Sequence, residues 1–350
     1  MRYFVIVVLS FLFSYFGTWY FRRFTIRKGI LLDIPNERSS HKTATPRGAG
    51  VIFVLVFLVT SLIYVGSDIR VLYYSSGGFL IAIVSWLDDF RSIPVLLRLS
   101  IHFFVAIMVV YFLGYFEKLY ISESVGVFFN ESIGRLITLF WIVWLINAYN
   151  FMDGINGIAA AQAIAASFGW CIVSSLLDWE ITFFISLLLL SCVSGFVLHN
   201  FPNAKVFMGD VGSAFLGYSF AVIPLIDTDG KGKTFLLTMF FVFLFLFDTA
   251  YTLLRRLRNA EKIWRPHRSH LYQRLVIAGL SHCKVTAIYF ILSVFNMLAG
   301  VLFFISDCLS MLLVPLSTAI LIVSMVWYFE NSSHYLTIEN AKKNRLIDTD

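Results

Sequence analysis

The chain has 350 residues, of which 59% are apolar and only 14% charged, and its mean hydropathy is +0.81. A soluble chain carries about 25% charged residues, so this balance excludes an ordinary soluble domain and marks an integral membrane protein. The net charge of +6 does not point to nucleic acid, because the basic residues gather in a few loops, where they set topology or meet anionic phosphates.

A crossing needs roughly 20 apolar residues. Eleven segments qualify in chain order, near 3–21, 49–65, 71–87, 99–116, 134–149, 157–177, 181–199, 213–226, 234–254, 285–305 and 309–329, with 134–149 and 213–226 short. The first run lacks a small-residue cleavage site and is followed by basic residues, so it reads as an anchor. The expected fold is an all-α polytopic membrane protein, a single domain over 1–350. Placing the loops alternately puts 21 of the 27 Lys and Arg on one side, seven of them in 22–48 and eight in 255–284. The positive-inside rule makes that side cytoplasmic, with the N-terminus periplasmic and the C-terminus cytoplasmic. The opposite loops are short or acidic. The four cysteines, at 171, 192, 283 and 308, have neither metal-ligand nor disulfide spacing and read as small apolar side chains.

Every polar motif falls on the basic side. The loop from Asp33 to Gly50 mixes turn residues with His41, Lys42 and Arg47. It suits a solvated topological loop and a loop folded over a phosphate equally well. Asp88 and Asp89 end the third segment, with Arg98 beyond them. Two adjacent carboxylates at an apolar helix end call for a cation or a cavity. The run Asn147–Gly157 spaces Asn147, Asn150 and Asp153 by three, which puts them on roughly one helical face, with Asn156 following. Asp210 lies between Gly209 and Gly212 at a helix start, a weak signal alone. His267, Arg268 and His270 sit in the most basic loop and offer donors for a diphosphate; a zinc site is the weaker reading there, since no Cys or paired acid is near. Asp248, inside the ninth segment, is either functional or a structural partner for a neighbouring helix or for Arg255 and Arg256. Acids and amides beside basic loops suggest a divalent cation and a diphosphate, and no G-x-x-x-x-G-K-[ST] loop supports an ATPase.

Taken in order, D-x-P-N-x-R…H…T-P-R-G at 33–48, Asp88-Asp89, N-x-x-N-x-x-D-G-I-N-G at 147–157, M-G-D-x-G-S at 208–213 and the His loop at 267–270 resemble the polyprenyl-phosphate N-acetylhexosamine-1-phosphate transferases (glycosyltransferase family 4, MraY/WecA-like). The resemblance covers essentially the whole chain, and the R-P-H-R-S-H form is most similar to the WbpL-like, O-antigen-initiating branch. Three departures stand out. Arg91 and Ser92 follow Phe90 where a further acid is common, Asn156 replaces an Asp frequent in bacterial members, and His267-Arg268-Ser269-His270 replaces a triple His.

The resemblance implies transfer of a sugar 1-phosphate from a UDP-sugar to undecaprenyl phosphate within the bacterial cytoplasmic membrane. UMP would leave, and the product would start O-antigen or another envelope glycan. Asp88, Asp89 and Asp153 are then the expected catalytic residues. Asp210, with Asn150, is the expected ligand of Mg2+, with Mn2+ as the alternative. Asn150, Asn156, His267, Arg268, His270, His41 and Arg47 are expected to bind substrate. A homodimer is compatible with this reading. The chemistry is either direct attack by the lipid phosphate or a covalent intermediate at Asp88. Two rivals remain: transfer of a phospho-muramoyl peptide, and transport of a phosphorylated or lipid-linked solute, whose polar residues would lie near the bilayer midplane.

Overall fold

The computed structural model describes residues 3–34, 44–65, 67–122, 125–227, 231–262, 267–306 and 308–347. Thirteen α-helices carry nearly all of them: α1 Phe4–Lys28, α2 Gly50–Val65, α3 Ile69–Phe90, α4 Val95–Phe112, α5 Glu131–Met152, α6 Ile158–Leu176, α7 Glu180–Asn200, α8 Gly209–Val222, α9 Lys231–Phe241, α10 Phe243–Arg258, α11 Leu271–Ile277, α12 His282–Ser306 and α13 Leu313–Ile347. Two small antiparallel hairpins accompany them, β1 Leu32–Asp33 with β2 Thr45–Pro46, and β3 Lys118–Ser122 with β4 Val125–Phe128.

Each of the eleven apolar segments coincides with helix, but the crossing count does not follow. Among the described residues eight helices are long and apolar enough to span a bilayer, or nine if α9 and α10 form one bent span. The α2 and Gly209–Leu225 helices fall short of that length. The 134–149 segment, expected to be short, lies within the 22-residue α5, which Asn130 caps by accepting the Ile133 N–H at 2.9 Å. Beyond the last apolar segment, which ends near 329, α13 continues to Ile347.

Local chemistry sets the helix ends. Gly29, at φ +64°, closes α1 after Arg27 and Lys28, whose charges favour a helix C-terminus. Asp68 caps α3 through the Arg70 N–H at 2.8 Å. The centre of the bundle is α6, α7 and α8, packed between α1, α3, α5 and α12. The α1, α4 and α13 helices lie at the periphery and expose large apolar side chains such as Phe13, Phe104 and Trp327, as a lipid-facing surface must.

The 234–254 segment, read as one crossing, is broken at Val242, where α9 and α10 meet at 77°. The bend is held from outside. Gln162 of α6 donates its amide N–H to the Phe241 carbonyl, and its own carbonyl accepts from Ser293 of α12. Both groups are buried, and in an apolar interior an orphaned carbonyl is costly. Replacing Gln162 by the nearly isosteric Leu strands the Phe241 carbonyl and the Ser293 hydroxyl. The expected loss is about 1–3 kcal/mol, read as a lowered melting temperature of the purified protein in detergent; an unchanged value would show that the break does not depend on this link.

Candidate active site at the basic end of the bundle

The motifs converge at one end of the bundle. The strand β2 runs into the start of α2 beside the segment that leads into α8. Phe207 N–H donates to the Pro46 carbonyl (2.7 Å), Ala49 N–H to Phe207 (3.1 Å) and Gly50 N–H to Met208 (2.8 Å). This ladder lays Gly48 on Gly209. A Cβ on Gly209, whose φ is +76°, would lie 2.6 Å from the Gly48 Cα and 2.6 Å from Asp89 Oδ2, so only glycine fits. Arg47 and Asp210 are thereby brought together although 163 positions apart.

Two arginines knit the acids. Arg47 Nε donates to Asp89 Oδ1 at 2.7 Å, and its terminal nitrogen lies 3.2 Å from Asp210 Oδ1. Arg98, in the first turn of α4, pairs with Asp88 Oδ2 and lies 3.5 Å from Asp210 Oδ2. The Asp89 carboxylate is fully buried and also accepts the Asp210 N–H (3.1 Å) and Val211 N–H (3.3 Å). Asp88 Oδ1 takes the Ile93 N–H at 2.7 Å. Burial works against the Arg47 charge, but Asp210 and then Asp89 outweigh it and raise its pKa.

Asp153, which ends α5, faces the same cluster. Its carboxylate makes no hydrogen bond among the described residues, and neither does the Asn150 side chain one turn before it. Burial, and then the charges of Asp210 and Asp89, push the Asp153 carboxyl well above the ordinary range. Asp88, Asp89, Asp210 and Asp153 gather here against the guanidiniums of Arg47 and Arg98, and the donors are all hard oxygens, the kind a divalent cation takes. Among the described residues no three His, Cys, Asp or Glu side chains stand close enough to form a metal site by themselves. Oxygen donors of this kind are compatible with Mg2+, which is usually held by one or two carboxylates plus substrate phosphate oxygens.

The His loop reaches the same place through α11. Tyr272 donates its hydroxyl to the Phe151 carbonyl at 3.0 Å, beside Gly154, whose lack of a side chain makes room for that hydroxyl. His270 is buried, with Nδ1 at 3.1 Å from Asp248 Oδ1. Asp248 also accepts the Leu271 N–H (2.9 Å), the Tyr272 N–H (3.2 Å) and the Tyr289 hydroxyl (2.8 Å). Of the readings open for Asp248, the structure favours the partner of a neighbouring helix: it caps α11 and orients His270, and it pairs with neither Arg255 nor Arg256. Arg256 instead pairs with Glu261 at 2.9 Å. His267 stacks near His270, with ring centroids 5.0 Å apart, and its Nδ1 accepts from the Ser269 hydroxyl at 2.9 Å. Burial, then His270 and Arg256, lower its pKa to about 4, so it is neutral near pH 7. Arg268 has no acid partner among the described residues.

Not every motif residue points into the cluster. Asn156 donates to the Pro202 carbonyl at 3.0 Å, which ties its loop to the turn after α7. Asn147, expected on one face with Asn150 and Asp153, turns instead to Val143 and His102. His41 lies outside the described residues. Arg98 was legible as a neighbour of the acid pair but carried no assigned role; its position on α4, opposite α3, is what the sequence hides.

Beside the cluster runs an apolar groove of about 810 Å3 between α4, α5 and the bent α9–α10 pair. Leu136, Phe140 and Trp144 line it from the bundle's outer surface, and Arg98 and Asn147 lie along it. The multi-pass bundle thus joins a sideways apolar groove to a carboxylate–arginine centre at one face. A family model described as "Glycosyl transferase family 4" matches residues 71–228. Over 290 residues the chain is 31% identical to the "Probable undecaprenyl-phosphate N-acetylglucosaminyl 1-phosphate transferase" of Bacillus subtilis, covering 80% of this chain and 79% of that protein. It is 29% identical over 291 residues to the "Decaprenyl-phosphate N-acetylglucosaminephosphotransferase" of Mycobacterium leprae, covering 73% of each. To the "Undecaprenyl-phosphate alpha-N-acetylglucosaminyl 1-phosphate transferase" of Escherichia coli it is 28% identical over 277 residues, covering 75% and 73%. The chain belongs to glycosyl transferase family 4, the polyprenyl-phosphate N-acetylhexosamine-1-phosphate transferases.

The Arg47–Asp89 pair generates a stability test. Removing one member of a buried pair costs about 3–5 kcal/mol, and the water that Arg47 keeps places this pair near the lower figure. Arg47→Met is expected to lower the melting temperature, and adding Asp89→Asn to recover part of the loss. A double variant less stable than Arg47→Met would show that the charge on Asp89 is not what Arg47 offsets.

Proposed function

We propose that the protein transfers an N-acetylhexosamine 1-phosphate from a UDP-sugar to a polyprenyl phosphate, undecaprenyl phosphate being the expected acceptor. UMP leaves, and the polyprenyl-diphospho-sugar starts O-antigen or another envelope glycan. The observation that carries this is the groove beside the acids: an apolar channel with Arg98 at the carboxylates suits a lipid whose phosphate must reach a charged centre. The names of the relatives favour N-acetylglucosamine as the sugar.

In this reading the acceptor tail occupies the groove and its phosphate approaches Arg98. A phosphate monoester is already largely dianionic at pH 7, so no general base is required. One of its oxygens attacks the sugar-linked phosphorus of the UDP-sugar. The bond from that phosphorus to the bridging oxygen breaks, and UMP departs with the electron pair. Direct attack fits the site better than a covalent intermediate, because both Asp88 oxygens are engaged, by Arg98 and by the Ile93 N–H. Asp89 is engaged more completely still. These carboxylates orient the arginines rather than serve as nucleophiles. Asp210, with Asn150 and Asp153 beside it, would hold Mg2+ or Mn2+, which when bound supplies neutralising charge for the diphosphate. Arg268, His267 and His270 would face the nucleotide diphosphate, and Tyr272 fixes that loop against α5. Asn156 supports the loop through Pro202.

The decisive assay combines purified protein, Mg2+, undecaprenyl phosphate and a panel of UDP-sugars, with UMP release and the lipid product as readouts. UDP-N-acetylglucosamine is the expected donor. Asp210→Ala and excess EDTA are each expected to abolish turnover in protein that elutes as folded. Near-normal turnover in either would overturn the metal assignment, and turnover with a UDP-muramoyl peptide alone would move the protein to that branch.

The concentration of Lys and Arg at the site end supports a bacterial cytoplasmic membrane location with that end in the cytoplasm. A cysteine introduced at Ser269 should resist impermeant thiol reagents in intact cells and react after lysis; labelling from outside would reverse the orientation.

A further inference from the structure

Behind the groove-lining Arg98 and Asn147 stands a polar group that the reaction scheme leaves unused. His102 lies one turn beyond Arg98 on α4, so the two share a helix face. His102 is 1% exposed, and Asn147 of α5 stands against its ring, with the amide nitrogen 3.4 Å from Nδ1. The same nitrogen donates to the Val143 carbonyl at 2.7 Å. A carbonyl needs a donor, so this contact fixes which end of the amide is the NH2. An NH2 facing Nδ1 can only donate, so Nδ1 accepts and the imidazole proton sits on Nε2. That Nε2–H is buried and has no partner. Arg98 Nε, one turn away, is likewise buried and unpartnered, while a terminal nitrogen of Arg98 is committed to Asp88 and Asp210.

Two orphaned donors on one helix face, beside an apolar groove, are costly unless an anion or polar group meets them. Polyprenyl phosphate brings its own anion on an apolar tail. We propose that His102, held in its Nε2–H form by Asn147, joins Arg98 in receiving the phosphate of the acceptor and thereby distinguishes prenyl phosphates from uncharged prenyl lipids. The pair is a recognition element: Arg98 supplies charge, His102 a directional hydrogen bond, and Asn147 the tautomer. This rests on the groove being the acceptor channel, and the test separates the two claims.

The full-length protein in detergent, without metal or nucleotide, is titrated with farnesyl phosphate and with farnesol. The wild type is expected to prefer the phosphate by at least about tenfold, the scale of one hydrogen bond to a charged group. Two polar replacements dissect His102. In His102→Gln the terminal amide nitrogen reaches the place of Nε2, so most of the preference returns. In His102→Asn the shorter amide can meet Asn147 but lacks the outer donor, so the preference falls about tenfold. In turnover, His102→Asn should raise KM for the lipid phosphate by a similar factor and leave KM for the UDP-sugar unchanged. Gel filtration and UDP affinity check that each variant is folded. A His102→Asn protein that keeps the wild-type preference, or a Gln variant as impaired as Asn, overturns the assignment of His102 while the groove stands. A wild type that binds farnesol as tightly as farnesyl phosphate overturns the acceptor channel and this proposal with it.

Discussion

Asp89 is the constraint on which the basic end of the bundle depends. Its carboxylate has no contact with water, and its oxygens are satisfied by a guanidinium from one segment and two backbone N–H groups from another. Arg47 reaches it only if the 44–50 segment lies along 206–209, and that requires the Gly48–Gly209 contact. Asp88, the adjacent residue, in turn recruits Arg98 from α4. Four segments, 44–50, α3, α4 and the run into α8, are thus fixed by the pairing of these charges. Buried ion pairs are poor sources of net stability, since desolvation offsets much of their attraction. Their value here is positional, for they hold Asp88, Asp89 and Asp210 together at one end of the bundle.

The site is built in two halves that share α5. The acid–arginine half belongs to α2, α3, α4 and α8. The histidine half belongs to α10, α11 and α12, and Asp248 organises it by capping α11, orienting His270 and accepting from Tyr289. The Tyr272 hydroxyl on the Phe151 carbonyl joins the halves two residues before Asp153. A buried acid that accepts several N–H and O–H groups is rigid, and this suits a loop that has to present donors to a diphosphate without collapsing onto nearby carboxylates. The bidentate Arg274–Glu330 pair adds a second tether, from α11 to α13.

Much of this was legible from residue chemistry. Paired acids at an apolar helix end announce a need for cations, and Arg47 and Arg98 are those cations. The gathering of the polar motifs at one end follows from alternation of apolar segments and basic loops. What the sequence concealed depends on contacts between distant positions. Nothing in Phe240-Phe241-Val242-Phe243 signals a break, for neither Pro nor Gly is present; the bend becomes tolerable because Gln162 accommodates the freed carbonyl from another helix. The three-residue rhythm from Asn147 to Asp153 suggested one common task, yet the first amide serves His102 and the groove. Asn156, expected to bind substrate, follows Asp153-Gly154 in sequence, but its amide donates to the Pro202 carbonyl. Spacing along a helix predicts a face, and it does not predict which neighbour that face meets.

Helix length decides how deep the centre sits. The α2 helix has 16 residues, and at 1.5 Å per residue it covers about 24 Å; the Gly209–Leu225 run covers about 25 Å. Both begin at the acid–arginine cluster. Both end at the opposite polar layer, where Arg70 binds Asp68 and Asp227 and where Val65 lines the same cavity. By contrast α1, with 25 residues, and α5, with 22, run about 37 and 33 Å, and a hydrocarbon core is about 30 Å thick. Yet α5 ends at the cluster too, at Asp153, and α3 ends there with Asp88 and Asp89. The two short helices therefore set the separation of the charged centre from the opposite polar layer at about 25 Å, less than a hydrocarbon core of about 30 Å. Helices of different length thus meet at one level, and that level is fixed by the shortest of them.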